Sequence, residues 1–173
     1  VARLPKGLDI CTEPYVEEPR KFAYTLNSAG DFDKYQTAAA YDGMIDVLAD
    51  RDGVSLIPSI ATTVEGRKIR GVQVGTGSRV LVVTCGLHAR EWAAIAGCFH
   101  ALDTVTKDPA KYGFGAGMRL VAFPLVNTDG YEYSRTTYRY QRGNRNTKDA
   151  EEKGCSKGST GWPGGDLNRN FDG

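Results

Sequence analysis

Two apolar runs, one on each side of a helix-length segment, place the tightest constraint on the fold of this chain. Arg79–Cys85 is apolar after its first residue, and Met118–Val126 is a second run of the same kind. Trp92–Val105, between them, is apolar nearly all round and suits a buried helix. Strands that read as nearly continuous hydrophobic runs are typical of sheets covered on both faces. We therefore expect both runs to be buried strands of an α/β fold.

The segment ahead of these runs predicts a helix. Asp31-Phe32-Asp33 can cap a helix that runs to about Asp50, and Asp52-Gly53 stops it. The residues at helical spacing fall on one face: Ala38, Tyr41, Ile45 and Leu48. That face is expected to pack against the sheet.

A β-hairpin follows this helix in the sequence. Val54–Ile60 and Ile69–Val74 are predicted as its strands, and the Glu65-Gly66 turn within Thr63–Arg67 joins them. A hairpin that precedes parallel strands makes a sheet mixed. We therefore predict an α/β fold in which helices sandwich a mixed, mostly parallel sheet.

Composition indicates one ordinary globular domain without a nucleic-acid or membrane partner. The chain has 173 residues, of which 40% are hydrophobic and 25% charged. Its net charge of +1 argues against nucleic acid, although Tyr131–Arg145 is dense in tyrosine and arginine. The apolar stretches are too short to span a bilayer. Residues 1–24 are rich in proline and charge, and we expect them to form an extended arm.

The four cysteines divide into two kinds by their surroundings. Cys85 and Cys98 lie in apolar runs and are interpreted as small buried hydrophobic residues. Cys11 and Cys155 lie in polar segments and could form bridges. Because no two cysteines have a C-x-x-C spacing, a cysteine zinc site or a thioredoxin-type motif is not expected.

The candidate chemical site begins at His88-Ala89-Arg90-Glu91, just beyond a predicted strand. Functional groups of open α/β sheets tend to lie at the carboxyl ends of strands. The spacing brings the His88 imidazole and the Glu91 carboxylate to one side of a turn, and both groups are zinc ligands. Alone the pattern is weak, because an isolated match is far more often a surface histidine beside a glutamate at the start of a helix. His100 lies about half a turn round an ideal helix from Glu91, so we interpret it as structural or surface-exposed.

Five segments in a fixed order carry a family resemblance. They are Thr63–Gly71, Gly86–Trp92, Pro124–Tyr131, Arg139–Arg145 and Asp166–Phe171. Together they resemble the zinc metallocarboxypeptidases of the pancreatic carboxypeptidase A and B type, and the last segment is a full match. The resemblance covers about residues 25–173. It implies that they form the N-terminal portion of a carboxypeptidase domain, with the C-terminal part of the fold missing.

The resemblance implies a zinc site. His88 and Glu91 match the first two zinc ligands of the family. Asp166 matches the carboxylate that accepts the free ring N–H of the first histidine and so fixes its tautomer. Zinc is therefore the expected cofactor.

The resemblance also implies how a peptide substrate is bound, because an exopeptidase must recognise a free C-terminal carboxylate. Asn168 and Arg169 match the pair that binds this carboxylate, for which a planar guanidinium is suited. Arg142 matches the arginine that polarises the scissile carbonyl and stabilises the oxyanion. Arg90 matches an arginine that lines the substrate groove.

Several family groups have no counterpart in this sequence. They are the third zinc ligand, the glutamate that activates the zinc-bound water, the tyrosine that closes over the substrate and the residue at the base of the side-chain pocket. A catalytic zinc normally has three protein ligands, so we expect the chain alone to be inactive or nearly so. We also expect the last strand of its sheet to be an exposed edge. Thr128, Gln141 and Gly143 stand where the family commonly has proline, tryptophan and lysine.

Three functions stay open at this point. The chain can belong to a carboxypeptidase that removes C-terminal amino acids, with its missing portion supplied by a longer or cleaved protein. It can be a non-catalytic structural or interaction subunit with a vestigial zinc site, in which the proline-rich arm contacts a neighbour. It can also bind peptide C-termini without cutting them, through Asn168 and Arg169. The resemblance implies a secreted, vesicular or vacuolar location.

Overall fold

The computed structural model describes residues 35–146 and 164–169. The main elements, in chain order, are α1 (Ala38–Ala49), β1 (Val54–Thr62), β2 (Lys68–Val74), β3 (Arg79–Thr84), α2 (Trp92–Lys107), β4 (Met118–Phe123) and α3 (Thr128–Thr136). Short 3₁₀ helices cover Ala110–Tyr112 and Leu167–Arg169. The predicted arm over residues 1–24, Cys11, Cys155 and most of the glycine- and serine-rich stretch Gly154–Gly165 lie outside the described residues.

The four strands form one mixed sheet in the order β1-β2-β4-β3. Strand β2 is antiparallel to both β1 and β4, whereas β3 and β4 are parallel, with Leu81 opposite Leu120. The mixed α/β sheet predicted from the sequence is confirmed, but the described strands are not mostly parallel, because two of their three pairings are antiparallel. The hairpin is also confirmed, with each strand slightly longer than predicted because the ladder continues to Thr62 and Lys68 beside the turn.

The core lies between the helices α1 and α2 and one face of the sheet. The Tyr41 ring of α1 stacks on the Phe99 ring of α2, with centroids 4.4 Å apart. Val72 and Leu120, from adjacent strands, are buried beneath them. Full burial of a side chain of this size contributes about 1.5–3 kcal/mol, so each of these residues stabilises the packing of the helices on the sheet.

Helix α1 begins later than the sequence predicts. Its N-cap is Thr37, whose hydroxyl accepts a hydrogen bond from the Ala40 N–H at 3.0 Å. The predicted cap at Asp31–Asp33 is therefore wrong, because a threonine nearer the buried face satisfies the free N–H groups of the first turn. The predicted apolar face is confirmed, and its four residues are buried: Ala38, Tyr41, Ile45 and Leu48.

Strand β3 is less buried than the sequence predicts. Val80, Leu81 and Val82 are 45%, 45% and 59% exposed. Burial on both faces is therefore wrong for β3, because it is an edge strand of the described sheet and pairs with β4 alone. The sheet therefore has an exposed apolar edge, but it is β3 and not, as expected, the last strand in the chain, since β4 pairs with both β2 and β3.

Two features of the helices differ from expectation. Only one face of α2 is buried. The sequence looks apolar all round because the exposed side also contains alanine and glycine. The segment after Asn127 is polar and turn-rich, with little periodicity, yet it contains α3. This short helix is polar and was missed because its buried positions include Asp129, Tyr131 and Ser134, which do not form an apolar stripe. No helix of the described residues is long and apolar enough to cross a membrane.

Cys85 and Cys98 form a disulfide, which corrects their interpretation as simple buried hydrophobic residues. Cys85 follows β3 and Cys98 lies in α2, and their Cα atoms are 6.5 Å apart. This distance is within the usual range for a disulfide. The bridge closes the loop that contains His88.

Candidate functional site

The loops that follow β3 and β4 run side by side and carry the first part of the site. The Cys85 carbonyl accepts the Val126 N–H at 3.1 Å, and the Gly86 carbonyl accepts the Asn127 N–H at 3.1 Å. The Asn127 amide also donates to the Leu87 carbonyl at 2.9 Å. These bonds fix the backbone directly ahead of His88.

Gly86 makes the turn that brings His88 to this edge. Its φ is +67°, a left-handed conformation that favours glycine. A Cβ at this position would lie 3.0 Å from side-chain carbons of Ile95 and Leu125. The turn therefore depends both on the backbone freedom of glycine and on the absence of a side chain.

His88 contacts a carboxylate on each side of its ring. Its Nδ1 lies 2.9 Å from Glu91 Oε1, and its Nε2 lies 3.2 Å from Asp166 Oδ1. The imidazole is buried, whereas 48% of the Glu91 side chain is exposed. The side of the ring that faces Glu91 is therefore open to a ligand, and the side that faces Asp166 is fixed by the protein.

Asp166 joins the second part of the site to the first. Its carboxylate accepts hydrogen bonds from Arg142 Nε and from the Asn168 backbone N–H, both at 2.9 Å. Burial raises the pKa of Asp166, but the hydrogen bond from Arg142, the Asn168 N–H and the positive charge nearby outweigh it, so the pKa is lowered overall. Asp166 is therefore an ionised acceptor at neutral pH.

Arg142 lies beside both carboxylates. Besides its bond to Asp166, its Nη1 lies 3.5 Å from Glu91 Oε1. Its backbone carbonyl accepts the Ala89 N–H at 3.0 Å. The arginine is thus anchored through its backbone and its side chain. The structure brings together four of the seven sequence-predicted site residues: His88, Glu91, Arg142 and Asp166.

Asn168 and Arg169 lie one turn away, in the exposed 3₁₀ helix Leu167–Arg169. The Arg169 backbone N–H donates to the Asp166 carbonyl at 3.0 Å, and its Nη1 donates to the Asn168 carbonyl at 3.1 Å. Both side chains are exposed at the surface next to Asp166. In the described structure no hydrogen bond or ion pair links them to His88 or Glu91.

Arg90 lies between the two candidate ligands in sequence, and its backbone has a defined partner. Arg139 donates from Nη1 to the Arg90 carbonyl at 3.1 Å, and the Arg139 guanidinium stacks 3.8 Å from the centre of the Trp92 ring. The aromatic contact holds the loop around Arg90 against the start of α2.

Asn127 is a site-supporting residue to which sequence analysis assigned no role. It holds the Leu87 carbonyl, and its side-chain oxygen caps α3 by accepting the Gly130 N–H at 3.1 Å. An asparagine directly after a predicted strand is a common N-cap. That signal would have predicted the start of α3.

The donor set at His88 and Glu91 fits part of a zinc site. Two ligands of one tetrahedral zinc ion, each at about 2.0–2.2 Å, lie roughly 3.4 Å apart. Nδ1 and Oε1 are 2.9 Å apart, so a shift of about half an ångström would admit the ion between them. Asp166 on the opposite ring nitrogen is the usual arrangement around a metal-binding histidine. The described residues contain no cluster of three or more His, Cys, Asp or Glu side chains suited to a metal ion, so a third ligand must come from elsewhere.

Known proteins share both the sequence pattern and the fold. The pattern of the zinc carboxypeptidase family, peptidase family M14, matches residues 41–173. Carboxypeptidase B of Helicoverpa zea is 27% identical over 158 residues, which cover 87% of this chain and 35% of that protein. Bovine carboxypeptidase B is 34% identical over 121 residues, which cover 66% of this chain and 27% of that protein.

Solved structures agree with these relatives. The crystal structure of thrombin activatable fibrinolysis inhibitor superposes with a TM-score of 0.65 and 26% identity, covering 83% of this chain and 36% of that one. Carboxypeptidase A from Helicoverpa armigera gives a TM-score of 0.61 and 25% identity, covering 68% and 30%. The chain thus spans about a third of the length of the proteins it matches. Because the family pattern matches well over half of its residues, the chain belongs to the zinc carboxypeptidase family.

Proposed function

We propose that this chain supplies part of the active site of a zinc-dependent carboxypeptidase, an enzyme that removes amino acids from the C-termini of peptides. One observation carries the proposal. His88 Nδ1 and Glu91 Oε1 lie 2.9 Å apart on the open side of a ring whose other nitrogen faces Asp166. Membership of the zinc carboxypeptidase family supports the same assignment.

His88 and Glu91 would hold the zinc ion through Nδ1 and Oε1. When bound, zinc supplies a Lewis acid that polarises a carbonyl and lowers the pKa of a coordinated water. Asp166 keeps the proton of His88 on Nε2 and so leaves the Nδ1 lone pair free for the metal. The third ligand and the group that accepts a proton from water would lie outside the described residues.

Arg142 would stabilise the negative charge that develops on the scissile carbonyl oxygen. A fixed cation at this place lowers the energy of the tetrahedral intermediate relative to the substrate. The bond from Arg142 to Asp166 at 2.9 Å orients the guanidinium before substrate binds. The side chain keeps its Nη1 on the side of Glu91, where the metal would lie.

Asn168 and Arg169 would bind the C-terminal carboxylate of the substrate. Both are exposed, and Arg169 has a single backbone carbonyl as its described partner. An exchange of this neutral acceptor for a carboxylate strengthens the hydrogen bond because the new acceptor is charged. Arg90 would contact the peptide further along the groove. A secreted, vesicular or vacuolar location suits such an enzyme.

The test is peptidase activity of the intact protein that carries this chain. A blocked hippuryl dipeptide with a free C-terminus should be hydrolysed, and the same compound with an amidated C-terminus should not. A zinc chelator should abolish the activity and added zinc should restore it. Cleavage of the amide at the same rate, or activity that survives metal removal, would contradict the proposal. Tight binding of the free-acid peptide without hydrolysis would instead support a peptide-binding module.

A further inference from the structure

Gln141 is a buried glutamine next to Arg142, at a position where tryptophan is common in the family that the sequence resembles. Its side chain is 0% exposed, and a fully buried amide normally requires hydrogen-bond partners. We propose that Gln141 is a positioning residue, which holds Arg142 and Asp166 in register with the candidate zinc ligands. Its amide links the chain segment that carries Arg142 to the segment that carries Asp166.

The first contact is between Gln141 and the chain that follows Arg142. The Gln141 amide nitrogen donates to the Gly143 carbonyl at 3.0 Å and to the Asn144 carbonyl at 3.1 Å. One NH₂ group thus donates to two successive carbonyls. The backbone on the C-terminal side of Arg142 is fixed against a buried side chain rather than left to solvent.

The second contact is between Asn144 and the residue ahead of Asp166. The Asn144 N–H donates to the Gly165 carbonyl, and the Gly165 N–H donates to the Asn144 side-chain oxygen, both at 2.9 Å. A Cβ on Gly143 would lie 2.9 Å from the Gly165 carbonyl, so the two backbones are in direct contact. A displacement of residues 143–144 therefore displaces Asp166.

Arg142 lies between these contacts, which fix the orientation of its backbone and side chain. Its carbonyl is held by the Ala89 N–H at 3.0 Å and its Nε by Asp166 at 2.9 Å. Loss of the Gln141 amide would leave two carbonyls without this donor and let the segment relax. The relaxation would reach His88 through Asp166, because Asp166 Oδ1 lies 3.2 Å from His88 Nε2.

The test uses the intact protein that carries this chain, in which His88 and His100 are the two histidines of residues 1–173. In ¹⁵N-labelled protein, the His88 Nε2–H that donates to Asp166 should give a slowly exchanging, downfield-shifted proton signal. Replacement of His88 by Asn identifies the His88 signal, because that signal is then lost. Zinc titration followed in the same spectra gives the affinity at His88. This metal readout rests on the proposed function, whereas the Nε2–H signal does not require zinc.

Two replacements of similar length remove the donors of Gln141. In Gln141→Met the amide is lost, and in Gln141→Glu a carboxylate oxygen faces the two carbonyls. Both should broaden or shift the His88 Nε2–H signal toward that of a solvent-exposed imidazole, the glutamate more strongly. Both should weaken zinc binding about tenfold, as removal of outer-shell support typically does. Circular dichroism at the same temperature checks that each variant is folded. If Gln141→Glu is unfolded, the result for Gln141→Met carries the test.

Leu48→Ala is the matched control, because Leu48 is buried in α1, which supplies no site residue. It should lower the unfolding temperature and leave the His88 signal unchanged. If Gln141→Met lowers stability but leaves the His88 signal and zinc affinity as in wild type, Gln141 is merely structural and the inference is overturned. If wild type binds no zinc but Gln141→Met still loses the Nε2–H signal, the proposed function fails and the positioning role stands.

Discussion

His88 Nε2 lies 3.2 Å from Asp166 Oδ1, although 78 positions separate the two residues in the chain. The contact joins the loop after β3 to the loop that carries the substrate-binding candidates. It also gives each nitrogen of the His88 ring a separate partner. The candidate zinc site therefore depends on a long-range contact and not only on the short motif in which His88 and Glu91 occur.

Replacement of Asp166 tests this contact. Asp166→Asn keeps the shape of the side chain but removes the charge that holds His88 and Arg142. We expect zinc affinity to fall about 10- to 100-fold, measured by competition with a chromogenic chelator. Asp50→Asn, at the exposed end of α1, is the control and should bind zinc as wild type does. Equal affinity of both variants would show that Asp166 does not support the metal.

The disulfide between Cys85 and Cys98 is predicted to stabilise the domain. A bridge across a sequence separation of 13 residues restricts the unfolded chain and contributes about 3 kcal/mol in the loop-entropy description. The double variant with alanine at both positions should lose a comparable free energy of unfolding in urea. An unchanged midpoint and slope would contradict this expectation.

Asp129 is predicted to hold the turn of the β1–β2 hairpin. Its buried carboxylate accepts hydrogen bonds from the Thr63 hydroxyl, the Glu65 N–H and Arg67 Nη1, at 2.8, 2.9 and 2.7 Å. Asp129→Asn weakens these charge-assisted bonds and should lower stability by about 2 kcal/mol.

Amide hydrogen exchange locates the effect of Asp129→Asn. The amides of the hairpin turn should lose protection, while those of α2 keep it relative to the new global stability. Loss of protection spread evenly over the domain would contradict a local role for Asp129.

Asp103 is predicted to make stability depend on acid pH. Burial raises its pKa, but hydrogen bonds from Lys107 and Arg51 outweigh that effect and lower the pKa overall. Because the folded state has the lower pKa, the contribution of this group is present at neutral pH. It is lost as the pH falls below about 4, the unfolded value, toward the folded one. Asp103→Asn should flatten the fall in stability over that window, and an identical fall in both proteins would contradict the assignment.

Local patterns predicted much of the fold. The face of α1 and the strands of the hairpin follow from spacing along the chain, and both are present. The start of α1 does not follow in this way, since several capping residues precede the helix. The Ala38 N–H, for example, is held by Glu132 at 2.9 Å, a contact 94 positions away that local sequence does not encode.

Elements that depend on distant partners were the ones that sequence patterns missed. Helix α3 has no apolar stripe, and its Tyr131 hydroxyl donates to the Gln36 carbonyl at 2.6 Å. The disulfide depends on where α2 lies beside β3. Within the site, the spacing of His88 and Glu91 suggested a metal. The approach of Asp166 was suggested only by resemblance to a family, because nothing local indicates it.

Zinc affinity of the intact protein, compared between two histidine variants, tests the central claim most directly. His88→Ala removes a candidate ligand, whereas His100→Ala removes the other histidine of the chain, which lies on α2. The account predicts that His88→Ala loses zinc in equilibrium dialysis and that His100→Ala retains it with wild-type affinity. Full zinc content in His88→Ala, or equal loss in both variants, would contradict the assignment of His88 as a zinc ligand.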